Sequence, residues 1–455
     1  MITASFFVNG RWTLFLGTAA CILLVAFGIQ FIPMTTAVDP KTMPITSHLA
    51  KQLQVHVQAL ASPDLNGRKP GTPGNRAAAD YIAARFREIG LESLPSLGGY
   101  GQRITPELGD NLIGVRPAAT PNAAAPWLLI GAHFDHLGGN YLGADDNASA
   151  VAILIETART FPSLTQHHTL FVAFNAEEPP YIRTSLMGSQ HFVDHLPREI
   201  GSVSRLQAVI IMDLMGGVHW EPLQDVIFAA GGEKSPGLYR RVKESVNREA
   251  SGVKREMERS GRLTDSPART DVASLTRDAV RPLTPHASRL TVLPVGMHLI
   301  EEIPLVGQVS FSDYDAFRNA SVPFLFLSAG RTPRYHQPTD LPDTLHYERM
   351  ASTVGWFQDL VRQIDQDREP YRFEANRVEF ADEVASLRLL VSLAADWNTR
   401  IPRTSPLSLA RLRLDDRWLK QLDSAAPTSE DLKRLEKISI RLQCLVADFY
   451  GCFLI

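Results

Sequence analysis

WLLIGAHFDHLGGNYLGADDNASAVAILIETAR, residues 127–159, decides the fold. An apolar run from Trp127 to Ile130 breaks off in a His-x-Asp, His133 and Asp135, and a glycine-rich loop then delivers two adjacent carboxylates, Asp145 and Asp146. From Ala148 to Arg159 the spacing of Val151, Ile153, Leu154 and Ile155 predicts a helix with one buried side. The reading is strand, loop, helix, with chemistry concentrated in the loop. In open α/β sheets the ligand crevice lies beyond the carboxyl ends of the strands. Imidazole together with carboxylate oxygens is the donor set of a zinc-type ion.

Three downstream segments repeat the pattern of an apolar run ending in polar donors. TLFVAFNAEE (169–178) reads as a buried strand ending in Glu177 and Glu178. LQAVIIMDLMGG (206–217) ends in Asp213, and VPFLFLSAG (322–330) leads into RYHQPTD (334–340), which holds Tyr335 and His336. Strands alternating with helical patterns predict an α/β fold: a mixed, mostly parallel sheet with helices on both faces.

Two divalent ions about 3.5–4 Å apart need a bridging carboxylate, further ligands for each, and an open face. His133, Asp146, Glu178, Asp213 and His336 meet that need, and Glu177 is left over as a general base. Asp135 is placed to hold the His133 imidazole in one tautomer from behind. Asp145 reads as a hydrogen-bonding neighbour or an amine contact. His136 reads as a loop residue, His167 and His168 as solvent-facing, and Asp313 is given no chemistry.

The chain has 455 residues and a formal charge of −3. It is long enough for one large domain and an appendage, since single cores stop growing near ~250–300 residues. Near-neutral charge gives no footprint for a nucleic-acid partner. Cys21, Cys444 and Cys452 lie outside the proposed catalytic region, so no cysteine nucleophile or cysteine-rich zinc pattern is present there.

Trp12–Met34 carries no charged residue, with Arg11 before it and Asp39 and Lys41 after it. A bilayer span takes ~20 residues, so residues 1–37 read as an N-terminal membrane anchor with the bulk of the chain outside, in the periplasm or beyond. The competing reading is a cleaved signal peptide, which would leave the protein secreted or periplasmic. Residues 38–365 read as the catalytic domain with a polar insertion at about 235–305, whose Arg-rich part is Val253–Arg289. Residues 366–455 read as an all-α C-terminal extension, in which Thr428 and Asp431 make a capping box.

The motifs GAHFDHLG, GADDNASAVA, FNAEE, MDLMGG, SFSDYDAF and RYHQPTD stand in the order found in the M28 family of zinc metallopeptidases. That family includes bacterial leucyl-type aminopeptidases and plasma glutamate carboxypeptidase. DLNGRKPGTPGNRAAADYIAARF also resembles its N-terminal region, so the resemblance runs from Ala50 to Ile364. It implies the zinc exopeptidase fold and two Zn2+ per chain. Asp146 would bridge the ions, with His133 and Asp213 completing one site and Glu178 and His336 the other. A cis peptide would follow Asp146.

The activity implied is that of an exported dizinc aminopeptidase acting on peptides by a metal-bound hydroxide, with Glu177 as general base and Tyr335 as an oxyanion donor or a packing residue. Its partners would be a peptide substrate and, through an uncleaved N-terminal helix, the membrane. No nucleic acid is implied, and a homo-oligomer is compatible with the sequence. Two departures bear on substrate: Pro179 to Met187 forms a longer segment than usual before Gly188-Ser189, and Ala150 replaces a common glycine. Glutaminyl cyclases, single-zinc acyltransferases on the same fold, also carry a long segment there and are the alternative reading. A non-catalytic receptor or scaffold is the third.

Overall fold

The computed structural model describes residues 45–246 and 290–446, apart from 121, 123, 162, 304–306 and 426. Trp12–Met34 and Val253–Arg289 lie outside the described residues. No helix among the described residues is long and apolar enough to cross a membrane.

The chain enters through α1 (His48–Leu60) and α2 (Pro73–Ile89), capped by the side chains of Ser47 and Thr72, each accepting a first-turn N–H. Gly90, left-handed at φ 78°, closes α2. Then follow β1 (Gly101–Thr105), β2 (Gly109–Arg116), β3 (Trp127–His133), α3 (Ala150–Thr160), β4 (His168–Phe174), α4 (Gly188–Asp194) and β5 (Leu206–Met212). β6 (Val226–Ala230), α5 (236–246), β7 (Thr291–Val295), α6 (Met297–Glu301), α7 (Tyr314–Asn319), β8 (Phe324–Ser328) and α8 (Tyr347–Ile364) complete the sheet and its layers.

The eight strands lie in the order β1-β2-β4-β3-β5-β8-β6-β7. β4, β3, β5 and β8 form a parallel block at the centre. β2 and β6 flank it antiparallel, and β7 runs parallel to β6. β3 and β5 are buried along their whole length, which explains why their sequences are apolar throughout instead of alternating.

One face is covered by α1, α2, α3 and α8 in a single apolar cluster. On the other, Phe192 of α4 and Tyr314 and Phe317 of α7 pack on Phe174 and Phe324. This is the mixed, mostly parallel α/β sheet expected from the sequence. Consecutive strands leave β3 in opposite directions, β4 to one side and β5 to the other, so the crevice opens at the carboxyl ends of these strands.

Within the range read as a polar insertion, the structure shows α5, and TVLPV as the edge strand β7. The C-terminal helices α9 (Phe380–Ala395), α10 (Pro406–Gln421) and α11 (Ser429–Val446) share an apolar cluster with Val226, Leu293, Val295 and Leu299 beside that edge. His298 joins the two parts, with Nε2 2.6 Å from Glu383 Oε2 and Nδ1 3.2 Å from Glu436 Oε1.

His167 is buried, not solvent-facing: its Nδ1 lies 2.8 Å from Asp365 Oδ1 at the end of α8. Asp365 also accepts from the N–H groups of Thr165 (2.7 Å) and Gln166 (2.9 Å). Burial opposes this charge, but His167 and the two amides hold the carboxyl below its ordinary 3.8. Asp365→Ala is expected to destabilise the protein by about 2 kcal/mol in a urea titration at pH 7. Because the folded value is depressed, the stabilisation is present above 3.8 and is lost as pH falls through the lower folded value. The difference from wild type should therefore shrink in acid; a difference that grows there would contradict this account.

Candidate metal and active site

The four central parallel strands end on one rim. β3 delivers His133, β4 runs on into Glu177 and Glu178, β5 into Asp213, and the segment after β8 carries His336. Between β3 and α3 the π-type turn Ala144–Ser149 sets Asp146 beneath them. The Asp146–Asn147 peptide is cis, as the resemblance implies.

Asp146 faces a different histidine with each oxygen. Oδ1 lies 3.4 Å from His133 Nε2, which is also 3.6 Å from Asp213 Oδ1. Oδ2 lies 3.2 Å from His336 Nε2, which is 3.0 Å from Glu178 Oε2. Glu177 Oε2 stands 3.8 Å from His133 Nε2. Burial works against the charge on Asp146, yet the histidines hold it well below the carboxylate range. Likewise Asp146 and Glu178 overcome the burial of His336 and push it up to about 10.

The side chains fit a cation. His133 Nε2, His336 Nε2, Asp146 Oδ2, Glu177 Oε1 and Asp213 Oδ1 are buried without a hydrogen bond among the described residues. Buried polar atoms are normally bonded, and such a gathering of lone pairs at ligand-like separations is the arrangement a metal requires. His133, Asp146 and Asp213 form one group whose donor atoms lie within 4.8 Å of one another.

The second such group is His136, Asp146 and Glu178. His136 is thus fully buried rather than a loop residue, with Nδ1 2.7 Å from Glu178 Oε1 and 3.9 Å from Asp146 Oδ2. His136 and His336 both address Glu178. Its Oε1 is committed to a hydrogen bond with His136, and its Oε2 faces His336. A histidine in this place can serve as a ligand or hold a ligating carboxylate from behind.

Three buried aspartates each grip two consecutive backbone N–H groups of another loop on the rim. Asp135 accepts from Glu177 (3.0 Å) and Glu178 (3.1 Å). Its carboxylate stands 3.7 Å from His133 Nδ1, whose nearer neighbour is the Asp135 carbonyl at 3.3 Å. So Asp135 fixes the two glutamates more directly than it fixes the imidazole. Asp145 Oδ1 accepts from Gly216 and Gly217, both at 2.8 Å. Asp340, the last residue of RYHQPTD, accepts from Asp145 (2.8 Å) and Asp146 (3.0 Å).

Arg68 closes the assembly from below. It is fully buried and donates to the carbonyls of Leu60, Phe134, Leu142, Gly143 and Asp146. Gly67 makes this approach possible: at φ +66° a Cβ would meet Tyr141 O at 2.5 Å and Gly138 C at 2.6 Å. The Gly/Pro-rich turn around it is thus part of the site's floor. Sequence reasoning assigned no role to His136, Asp340 or Arg68. The first two stand inside quoted motifs, and their partners are 42 and 195 residues away.

Tyr335 stacks on His336, ring centroids 3.9 Å apart. Burial, reinforced by Asp146, Glu178 and Glu177, raises its hydroxyl well above 10, so it stands as a neutral phenol. Asp313 is buried too, and burial pushes it up to about 7.

An uncharacterized protein of Escherichia coli K12, YfbL, is 24% identical over 357 residues, covering 73% of this chain and 96% of the relative. Aminopeptidase YwaD of Bacillus subtilis 168 is 27% identical over 169 residues, 36% of this chain and 33% of that protein, so the match spans about a third of it. The structure of BSAP, a zinc aminopeptidase from Bacillus subtilis, aligns over 72% of this chain and 98% of its own, at 14% identity and a TM-score of 0.47. Residues 111–290 match the model of peptidase family M28, a span that holds His133, Asp146, Glu177, Glu178 and Asp213. That match bears out, for residues 111–290, the resemblance to peptidase family M28 read from the sequence.

Proposed function

We propose that the protein is an exported aminopeptidase that works with two zinc ions, held by His133, Asp146 and Asp213 and by Asp146, Glu178 and His336. The observation that carries this reading is Asp146, whose two oxygens each face a separate histidine-acid pair. Bound ions of this kind supply Lewis acidity and a water acidic enough to react at neutral pH.

The chain's own groups divide the remaining work. Glu177, anchored through its N–H to Asp135, takes the proton of the attacking water at its unbonded Oε1 and passes it to the leaving amine. The neutral phenol of Tyr335 donates to the carbonyl oxygen as charge develops there. His136, Asp135, Asp145 and Asp340 hold the loops so that little reorganisation accompanies reaction. The amino-terminal direction of cleavage is supported by the name of the relative YwaD.

Export is supported by the charge-free run Trp12–Met34, as an anchor or a cleaved signal. Cys444 is disulfide-bonded, and disulfides persist in oxidising compartments.

The test is metal content and hydrolysis of an aminoacyl-amide and peptide panel by the purified, zinc-loaded protein. Two zincs with release of N-terminal residues is the expected result. One zinc, no peptide cleavage and cyclisation of N-terminal glutamine would transfer the assignment to an acyltransferase. A metal-free, inert protein would leave only a scaffold.

A further inference from the structure

Immediately before Tyr335 and His336 the chain reads Arg331-Thr332-Pro333-Arg334. The Arg331 guanidinium lies 4.2 Å from the centroid of the Tyr335 ring and 5.1 Å from that of Phe311. Tyr335 in turn stacks on His336, whose Nε2 is 3.0 Å from Glu178. A cation is therefore held against an aromatic ring that itself stacks on a histidine of the candidate site. Such stacking fixes a guanidinium in place without consuming its in-plane N–H donors. Among the described residues no carboxylate pairs with Arg331; Asp315 is engaged by Arg318.

Resting on the peptidase reading above, we infer that Arg331 sets the substrate class: its guanidinium takes a carboxylate of the residue on the leaving side of the scissile bond. Consecutive Cα atoms are about 3.8 Å apart, so a carboxylate one residue beyond the cut falls within reach of a group stacked next to the His336–Tyr335 pair. Two sources supply that chemistry, the free α-carboxylate of a dipeptide and the side chain of an acidic residue. The planar fork matches either one bidentately.

The test compares Leu-Leu with Leu-Leu-amide, and Leu-Asp-amide with Leu-Asn-amide, on the zinc-loaded full chain, its Arg331→Gln and Arg331→Lys variants, and Arg334→Gln as a control for charge alone. Wild type should prefer Leu-Leu over its amide by about tenfold or more in kcat/KM, chiefly through KM, the size expected for one charge-assisted contact. Arg331→Gln should abolish that preference, bringing the ratio of kcat/KM for Leu-Leu to that for Leu-Leu-amide to about one. Arg331→Lys should restore part of it, and Arg334→Gln should leave it intact.

A preference confined to Leu-Asp-amide would assign the contact to an acidic side chain. Ratios near one in wild type, or unchanged in Arg331→Gln, would overturn the inference. Calorimetric binding of the same four peptides to zinc-loaded Glu177→Ala separates the two readings. Arg331-dependent binding of the carboxylate without hydrolysis by wild type would sink the peptidase reading alone. Hydrolysis with no carboxylate preference would sink this one alone, and neither binding nor hydrolysis would sink both.

Discussion

Glu177→Ala is expected to lower kcat by about 10²–10⁴-fold while leaving the zinc content of the purified protein unchanged. The separation of these two effects follows from the geometry. Glu177 Oε2 approaches His133 at 3.8 Å, but Oε1 has no hydrogen bond among the described residues. Its neighbour Glu178 makes the close contact with His336. Burial, with Glu178, Asp213 and Asp313 adding to it and His133 opposing, raises the proton affinity of Glu177 well above that of a free glutamate. A carboxylate so placed accepts a proton from water and returns it to a departing amine more readily than an ordinary one. Glu177→Gln keeps the volume and should be almost as damaging, since an amide cannot carry the proton. Steady-state kinetics beside elemental analysis of each variant would decide the matter. Loss of zinc in parallel with activity would show that Glu177 is a ligand, and a fall of less than tenfold would show that another group is the base.

The parts of the architecture that were legible in sequence share one property: their evidence is local. β3, β5 and β8 are short apolar runs that end at once in His133, in Asp213 and in the approach to His336, so strand and ligand are read together. What was missed depends on contacts between distant segments. β1 is GQRIT, with alternating burial at the sheet margin, and β7 is TVLPV next to a long polar stretch. Neither presents the continuous apolar text of a central strand. His167 looked like one of two polar residues before a strand, and its burial depends on Asp365, 198 residues on. Arg68 stands in a turn whose glycines and prolines predict only a change of direction. Its role lies in five carbonyls spread from Leu60 to Asp146. Donor types can be read from sequence; the grip that orients them belongs to the tertiary fold.

Asp146→Ala is the substitution expected to do most damage, because it removes a ligand from both groups at once. With Asp146 present, Oδ1 serves the His133–Asp213 side and Oδ2 the His336–Glu178 side. Without it each side keeps one histidine and one acid, short of the three protein ligands that zinc sites of this kind use. His336→Ala, by contrast, should spare the His133–Asp146–Asp213 side. Zinc titration at buffered free metal should therefore show two sites in wild type, one in His336→Ala and none of comparable affinity in Asp146→Ala, with activity at background in the last. The same comparison tests the place given to His136. If it only orients Glu178, His136→Ala should keep two sites and weaken one by about 10–100-fold, the range for outer hydrogen-bond partners of metal ligands. If His136 is itself the ligand, His136→Ala would lose a site and His336→Ala would not. The fold should survive each change, since the side chains lie at the strand ends and the apolar clusters on both faces of the sheet are untouched. A circular-dichroism spectrum matching wild type would exclude global unfolding as the cause of zinc loss.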